Sequence, residues 1–268
     1  VAIQRVHSKW SKTAALLASE QLRHYIPETL PSKRETVRMM LDQYGMIYVK
    51  PDRGTFGNGV IRVEKSASSP LPYRFQLDKK IRQFATFDAM YTRLLSAQRK
   101  RAYIAQKGIQ LLQYHNRRFD FRVMVQHNLR NEWETTGIIG RLGLPSKIVT
   151  NYHSGATPLP FSTLMSPHMS EHRQTEYLTY LSNLGVETAK QLQSIYPGIR
   201  EIGIDFAIDT DLHPWILEVN TLPDPFLFRK LNDRNVFNRI YQYAVGYGRF
   251  KTKRIRHLNK NKPQTKTI

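Results

Sequence analysis

The chain has 268 residues, 40% of them hydrophobic, enough for one large domain or two small ones around a real core. Lys and Arg outnumber Asp and Glu by 41 to 21, a formal net charge of +20, which predicts affinity for polyanions. The absence of cysteine excludes disulfides, thiolate metal sites and a cysteine nucleophile, and suits a reducing interior. With no long unbroken apolar run and no charged-then-apolar leader, neither a membrane span nor a signal peptide is expected, and the start at Val1 suggests a processed or excised piece.

In chain order, residues 7–24 ("HSKWSKTAALLASEQLRH") have helical apolar spacing and predict a short leading helix. Ser32, with Glu35 three positions on, reads as the reciprocal cap of a helix from Lys33 to about Tyr44, which Gly45 stops. "MIYVK" comes next as a strand ending at Lys50, then a Gly-punctuated turn into an alternating strand from Val60 to Glu64, together a hairpin. Strands are expected at 73–77 and 102–106, with a helix at 86–98 between them. "FDFRVMVQH" (119–127) and "WETTGIIGRLG" (133–143) pair as a second hairpin, and a polar loop leads to a long helix over 171–196. "IGIDFAID" and "WILEVN" form a third hairpin, and one helix is expected from Pro225 to about Tyr243. Hairpins interleaved with helices predict an α+β fold with mostly antiparallel sheets. From Gly248 onward eight Lys/Arg occur with no acid, a basic tail that is either solvated or a dedicated polyanion contact; the body without it still carries +12.

The third hairpin carries the strongest chemical signal. With a loop symmetric about Asp211 and Leu212, Asp205 lies directly opposite Glu218, and Asn220 shares the face one step along. Two facing carboxylates repel, and a hard divalent cation relieves that, Mg²⁺ with substrate phosphates being the ordinary arrangement. The other reading is a pair of acids that face solvent. Lys50 ends a strand just before Gly54, Gly57 and Gly59, so backbone and ammonium can together approach a phosphate; a plain hairpin turn fits the same residues, and the order is not that of a P-loop. Lys33, in the first turn of its helix, is a second phosphate candidate or an exposed lysine. Arg122 and Arg141 sit on neighbouring apolar strands and call for anionic partners, which are either a ligand or Asp120 and Glu134. His153 reads as a loop residue, and His168 with His172 as a solvated helix start.

The ordered set Lys33, Lys50 with its Gly-rich hairpin, "YIAQKGIQL", "DFRV", Arg141, "TNYHSG", Asp205, Glu218 and Asn220 resembles the ATP-grasp superfamily, and within it the YheC/YheD group associated with endospore coats. The resemblance covers about residues 30–245. It implies an ATP-grasp fold in which ATP is sandwiched between two α+β subdomains, residues 31–110 and 111–247, flanked by a short helical segment at 1–30 and the tail at 248–268. It implies that Lys33 and Lys50 contact the phosphates, and that the loop Arg53, Gly54, Thr55, Phe56, Gly57, Asn58 and Gly59 closes over them. Gln106, Lys107 and Ile109 would form the hinge beside adenine, largely through backbone groups. Arg122 and Arg141 would hold the γ-phosphate and an acyl-phosphate intermediate, and Asp205, Glu218 and Asn220 would bind two Mg²⁺. The implied activity is a ligase that activates a carboxylate with ATP for attack by an amine, the unknown substrates being anionic or peptidic; the alternative is an ATP-binding coat or polymer-associated protein without turnover. A cytoplasmic, spore-coat-associated setting goes with it. Two departures stand out: Ser154-Gly155-Ala156 replaces a common Arg-Gly-Gly, and barely 30 residues precede Lys33 where such ligases carry a further domain of on the order of 100 residues, so the acceptor site is expected to be completed differently.

Overall fold

The computed structural model describes residues 2–55, 57–150 and 152–251. Phe56, Asn151, the His153 side chain and residues 252–268 of the basic tail lie outside the described residues.

Two antiparallel sheets organise the chain. The first contains β1 (Thr29–Pro31), β2 (Met46–Pro51), β3 (Ile61–Lys65), β4 (Tyr73–Leu77), β5 (Lys80–Phe84) and β6 (Tyr103–Lys107), in the order β1-β6-β2-β3-β4-β5. Two helices, α2 (Arg34–Tyr44) and α3 (Phe87–Gln98), pack against it through Val37, Met40, Leu41, Phe87, Met90 and Leu94. Strand alternation then decides what the other face carries. Ile47, Val49 and Ala105 point into the helical core, so Tyr48, Lys50 and Gln106 face away from it.

The second sheet is built on β8 (Arg117–His127), β9 (Trp133–Leu142), β10 (Thr157–Leu159), β11 (Glu201–Ile208) and β12 (Pro214–Asn220), ordered β10-β9-β8-β11-β12, with β7 (Gln113–Tyr114) pairing with the start of β8. Phe119, Phe121, Val123 and Val125 from β8, with Ile202, Ile204 and Phe206 from β11, are buried beneath the long helix α5 (Glu171–Ile195) and the short α4 (Phe161–Met165). The opposite face is divided. Met124 and Ile139 are covered by α6 (Arg234–Gly246) and the 3₁₀ turn Pro225–Lys230 through Phe228 and Ile240, whereas Asp120, Arg122, Arg141, Asp205 and Glu218 line a cleft toward the first sheet.

The expected hairpin register holds where it matters: Gly203 pairs with Asn220, Ile204 with Val219 and Asp205 with Glu218. The loop is not symmetric about Asp211 and Leu212, however. Phe206 pairs with Ile216, so Leu217 is an extra residue, a β-bulge. The bulge is why Ile216 and Val219, three positions apart, are both buried on the core face while Leu217, Glu218 and Asn220 line the cleft cavities.

Other boundaries moved for local reasons. The leading helix is only α1 (Lys9–Leu17), capped by Ser8, and the chain then turns through a 3₁₀ turn at Arg23–Tyr25, with the Arg23 N–H bonded to the Ser19 carbonyl. Helix α2 begins one residue later than expected and is not capped by Ser32. The Ser32 N–H is taken by the Tyr103 carbonyl, and Lys33 is the cap, its N–H donating to Thr36 Oγ1 at 2.9 Å. The single helix expected from Pro225 is two pieces, because Asp224 caps the first turn and Asp233 caps α6. Strands β1, β5 and β10 are too short or too polar to show in the pattern. Among the described residues no helix is long and apolar enough to cross a membrane.

Gly203 marks a close approach between β11 and the segment after β12: a Cβ there would lie 2.7 Å from Pro223 Cβ and 3.2 Å from Arg122 Cδ. Gly203→Ala is expected to cost about 1–3 kcal/mol by overpacking, read as a lower denaturant midpoint with unchanged m-value; wild-type stability would show that the strand relaxes freely.

Candidate functional site

Two cavities of about 200 and about 420 Å³ occupy the cleft and meet at Gly57, Val60 and Glu218, which line both. The first is walled by Tyr48, Lys50, Gln106, Lys107 and Ile109 from one side and by Ile148, Leu217 and Glu218 from the other. The second is lined by Lys9, Gly54, Thr55 and Asn58, by Arg122, Arg141 and Asn220, and by the segment 222–227. Nine Lys/Arg and four Asp/Glu line the two together among the described residues, so the cleft itself is strongly cationic.

At its floor lies a buried ion network. Arg122 faces Asp205 across β8 and β11, and Asp120 faces Arg141 across β8 and β9. Arg122 Nε donates to Asp205 Oδ1 at 2.6 Å, and Arg141 Nη2 lies 3.0 Å from Asp205 Oδ2. Arg141 also makes a two-pronged contact with Asp120, Nε to Oδ1 at 2.8 Å and Nη2 to Oδ2 at 2.5 Å. All four side chains are less than a tenth exposed. Burial alone would raise the Asp205 carboxyl, but the charges and hydrogen bonds of Arg122 and Arg141 outweigh it and hold it at about 2. Arg141 therefore has the Asp120 partner anticipated for it. Arg122 does not pair with Asp120, and its anion is Asp205.

The lysines are arranged differently from expectation. Lys50 is in the first cavity, bonded to Gln106 Oε1, and burial together with the nearby Lys9 charge lowers its ammonium to about 8 against the pull of Glu218. Lys33 is exposed at the cap of α2 and lines neither cavity. From the N-terminal part of the chain the second cavity receives Lys9 of α1. Lys9 Nζ lies 3.0 Å from the Gly54 carbonyl and 3.2 Å from Glu218 Oε1, and Lys12, almost fully buried, is likewise lowered to about 8 by burial. Sequence reading missed both. The available signal was Lys9, Lys12 and Leu16 at i, i+3, i+7, cations placed on the apolar stripe of a helix.

Of the Gly-rich loop, Gly54, Thr55, Gly57 and Asn58 line the cavities, and Arg53 and Gly59 do not. Gly57 and Gly59 have φ of 73° and 76°, which glycine alone adopts readily. At the hinge, the N–H groups of Lys107 and Gly108 are already bonded to the Glu28 and Met46 carbonyls. The Lys107 ammonium sits over the Tyr44 and Trp215 rings. Gln106 reaches Thr29 Oγ1 and, at 3.5 Å, the Leu217 carbonyl.

The donor set for a metal is oxygen-only and holds two carboxylates and an amide, which suits Mg²⁺ shared with phosphates. Glu218 is paired with Lys9, and Asn220 lines the second cavity with it. Both Asp205 oxygens already accept from arginine, leaving their second lone pairs. Among the described residues no group of three or more His, Cys, Asp or Glu could hold a metal without help from a ligand. The residues fit an ion that arrives with a polyphosphate.

The family described as YheC/D like ATP-grasp matches residues 2–250. The chain is 24% identical over 246 residues to the endospore coat-associated protein YheD of Bacillus subtilis (strain 168), covering 88% of this chain and 53% of that protein. It is 24% identical over 220 residues to the endospore coat-associated protein YheC of the same strain, covering 80% and 59%. The chain thus spans between about half and three-fifths of these curated relatives. Among solved structures, it resembles carboxyaminoimidazole ribonucleotide synthase from Aspergillus clavatus complexed with ATP (11% identity, TM-score 0.47, 82% of this chain and 46% of that one). It also resembles the C-terminal domain of K. lactis Pby1, an ATP-grasp enzyme interacting with the mRNA decapping enzyme Dcp2 (15%, 0.46, 92% and 74%).

Removing one partner of a buried ion pair strands the other. Arg141→Met should therefore destabilise the protein by about 3–5 kcal/mol, and adding Asp120→Leu to it should restore much of that loss. Chemical denaturation of the two variants checks it, and a double variant as unstable as the single one would refute the network's role.

Proposed function

The chain belongs to the YheC/D-like ATP-grasp family, and from that premise we propose that it is an ATP- and Mg²⁺-dependent ligase that converts a carboxylate to an acyl phosphate for attack by an amine. The observation that carries this reading is the cationic cleft with Glu218 at the junction of its two cavities, the first lined in part by Tyr48, Ile109, Ile148 and Leu217 and the second by Arg122, Arg141 and the segment 222–227.

In this reading adenine lies in the first cavity beside Gln106, Ile109 and Leu217. Lys50 and Lys9 hold the phosphates, with Gly54, Thr55, Gly57 and Asn58 beside them. Asp205, Glu218 and Asn220 hold Mg²⁺, which supplies charge neutralisation when bound. Arg122 and Arg141, fixed by Asp205 and Asp120, face charge that grows on the transferred phosphoryl group. Their rigidity is an advantage, because donors already oriented need no reorganisation as that charge develops. The carboxylate substrate occupies the second cavity. No general base is required of the protein for the first step, since the attacking carboxylate carries no proton to remove.

Substitution of Glu218 by Gln should abolish Mg²⁺-dependent binding of an ATP analogue and ADP release with pools of carboxylates and amines. Unaltered Mg²⁺ dependence would sink the site assignment. Binding in wild type with no ADP release on any pool would favour the coat-associated protein that holds nucleotide without ligation.

Lys50 gives an independent check. With its ammonium at about 8, it is largely neutral in the free protein at about pH 9 and charged at about pH 6.5. A polyphosphate beside it raises the pKa, so analogue binding should take up protons at the higher pH and few at the lower. Calorimetry in two buffers of different ionisation enthalpy measures this uptake, and Lys50→Met should remove the part due to this residue.

A further inference from the structure

We propose that the second cavity, on the ligase reading above, selects a carboxylic acid with an apolar, ring-sized body over polar or amino-acid acids. Its lining is of two kinds. Arg122, Arg141, Glu218 and Asn220 make up a polar set; Leu222, Pro223, Pro225, Phe226 and Leu227 form an apolar wall, with Phe250 beside it.

That wall is not a loose loop. Asp224 caps the turn by accepting from the Phe226 N–H at 2.9 Å, the two prolines restrict its backbone, and the Arg229 guanidinium lies 4.8 Å from the Phe226 ring and 4.5 Å from that of Phe237. Leu227 and Phe228 next to it are buried, yet Leu222 and Phe226 are 57% and 43% exposed. A rigid segment that holds two large apolar side chains in contact with water at a cavity presents them to a ligand.

Polar atoms on this wall already have partners. Arg249 is bonded to Glu201 and to the Pro223 carbonyl, and Asp224 Oδ1 accepts from the Phe226 N–H. A polar body placed here would lose its water without replacement, whereas an apolar one gains by being covered. In the polar set, Arg122 commits Nε to Asp205, and its two Nη nitrogens have no hydrogen-bond partner among the described residues. They form a free fork for a carboxylate. A guanidinium fork beside an apolar wall thus sorts acids by the body attached to the carboxylate.

In the step itself a carboxylate oxygen bonds to the γ-phosphorus, the bond from that phosphorus to the bridging oxygen breaks, and ADP leaves with the electron pair. Added hydroxylamine then attacks the acyl carbon, loses a proton to solvent and expels phosphate, leaving a hydroxamate.

The test titrates the full chain, saturated with a non-hydrolysable ATP analogue and Mg²⁺, with phenylacetate and isovalerate and, in parallel, with succinate and glutamate. Hydroxamate formation is then measured with ATP. The apolar acids should bind and react at least ~10-fold better, and Phe226→Asp should erase that preference while analogue affinity stays as in wild type. Analogue binding with polar acids equal or better, or with no acid bound, overturns the proposal alone. Failure of the analogue itself to bind overturns the nucleotide reading and this proposal with it.

Discussion

Four charged side chains, Arg122, Asp205, Arg141 and Asp120, sit nearly dry on the open half of a sheet, and the arrangement of the cleft depends on keeping them there. Burying such groups costs several kcal/mol per ion, and mutual attraction repays this only with good geometry. The geometry is supplied by strand register, which sets Asp205 against Arg122 and Asp120 against Arg141 on three adjacent strands. An apolar set of the same volume would stabilise the sheet at least as well. The charged set therefore points to function: it fixes two guanidinium groups beside a cavity with no freedom to wander.

The N-terminal segment ties this floor to the opposite sheet. Arg5 pairs with Glu201 and donates to the Thr221 carbonyl, while Ser8 and the Trp10 N–H both bond to Asp52 at the end of β2. Lys9 completes the strap by touching Gly54 and Glu218 at once. The two sheets are thereby held by the same short stretch that supplies two of the buried cations.

Much of this was legible in the sequence because it is local. The opposition of Asp205 and Glu218 comes from one hairpin, and the α+β class from the alternation of apolar periods. The bulge at Leu217 was not legible, since an extra residue in one strand shows only when both strands are paired. Lys33 illustrates a different limit. Capping chemistry at residues 32–36 tells where a helix starts but not which way its first turn faces the rest of the molecule. Lys9 and Lys12 were passed over for the converse reason: their helix is short, its partners Gly54 and Glu218 are distant in the chain, and only tertiary packing reveals that the buried stripe contains cations.

The bulge also shapes how this strand can change by descent. A loss of one residue at Leu217 would straighten β12 and leave Glu218 still opposite Asp205, because the surplus residue contributes nothing to the ladder. The sheet would heal while the wall of the first cavity lost a side chain and the carbonyl that Gln106 reaches. Reading-frame-preserving deletions elsewhere in the strand would reverse its inner and outer faces and be purged with the fold. At this one position the lining of a cavity can change while the sheet that carries it keeps its register.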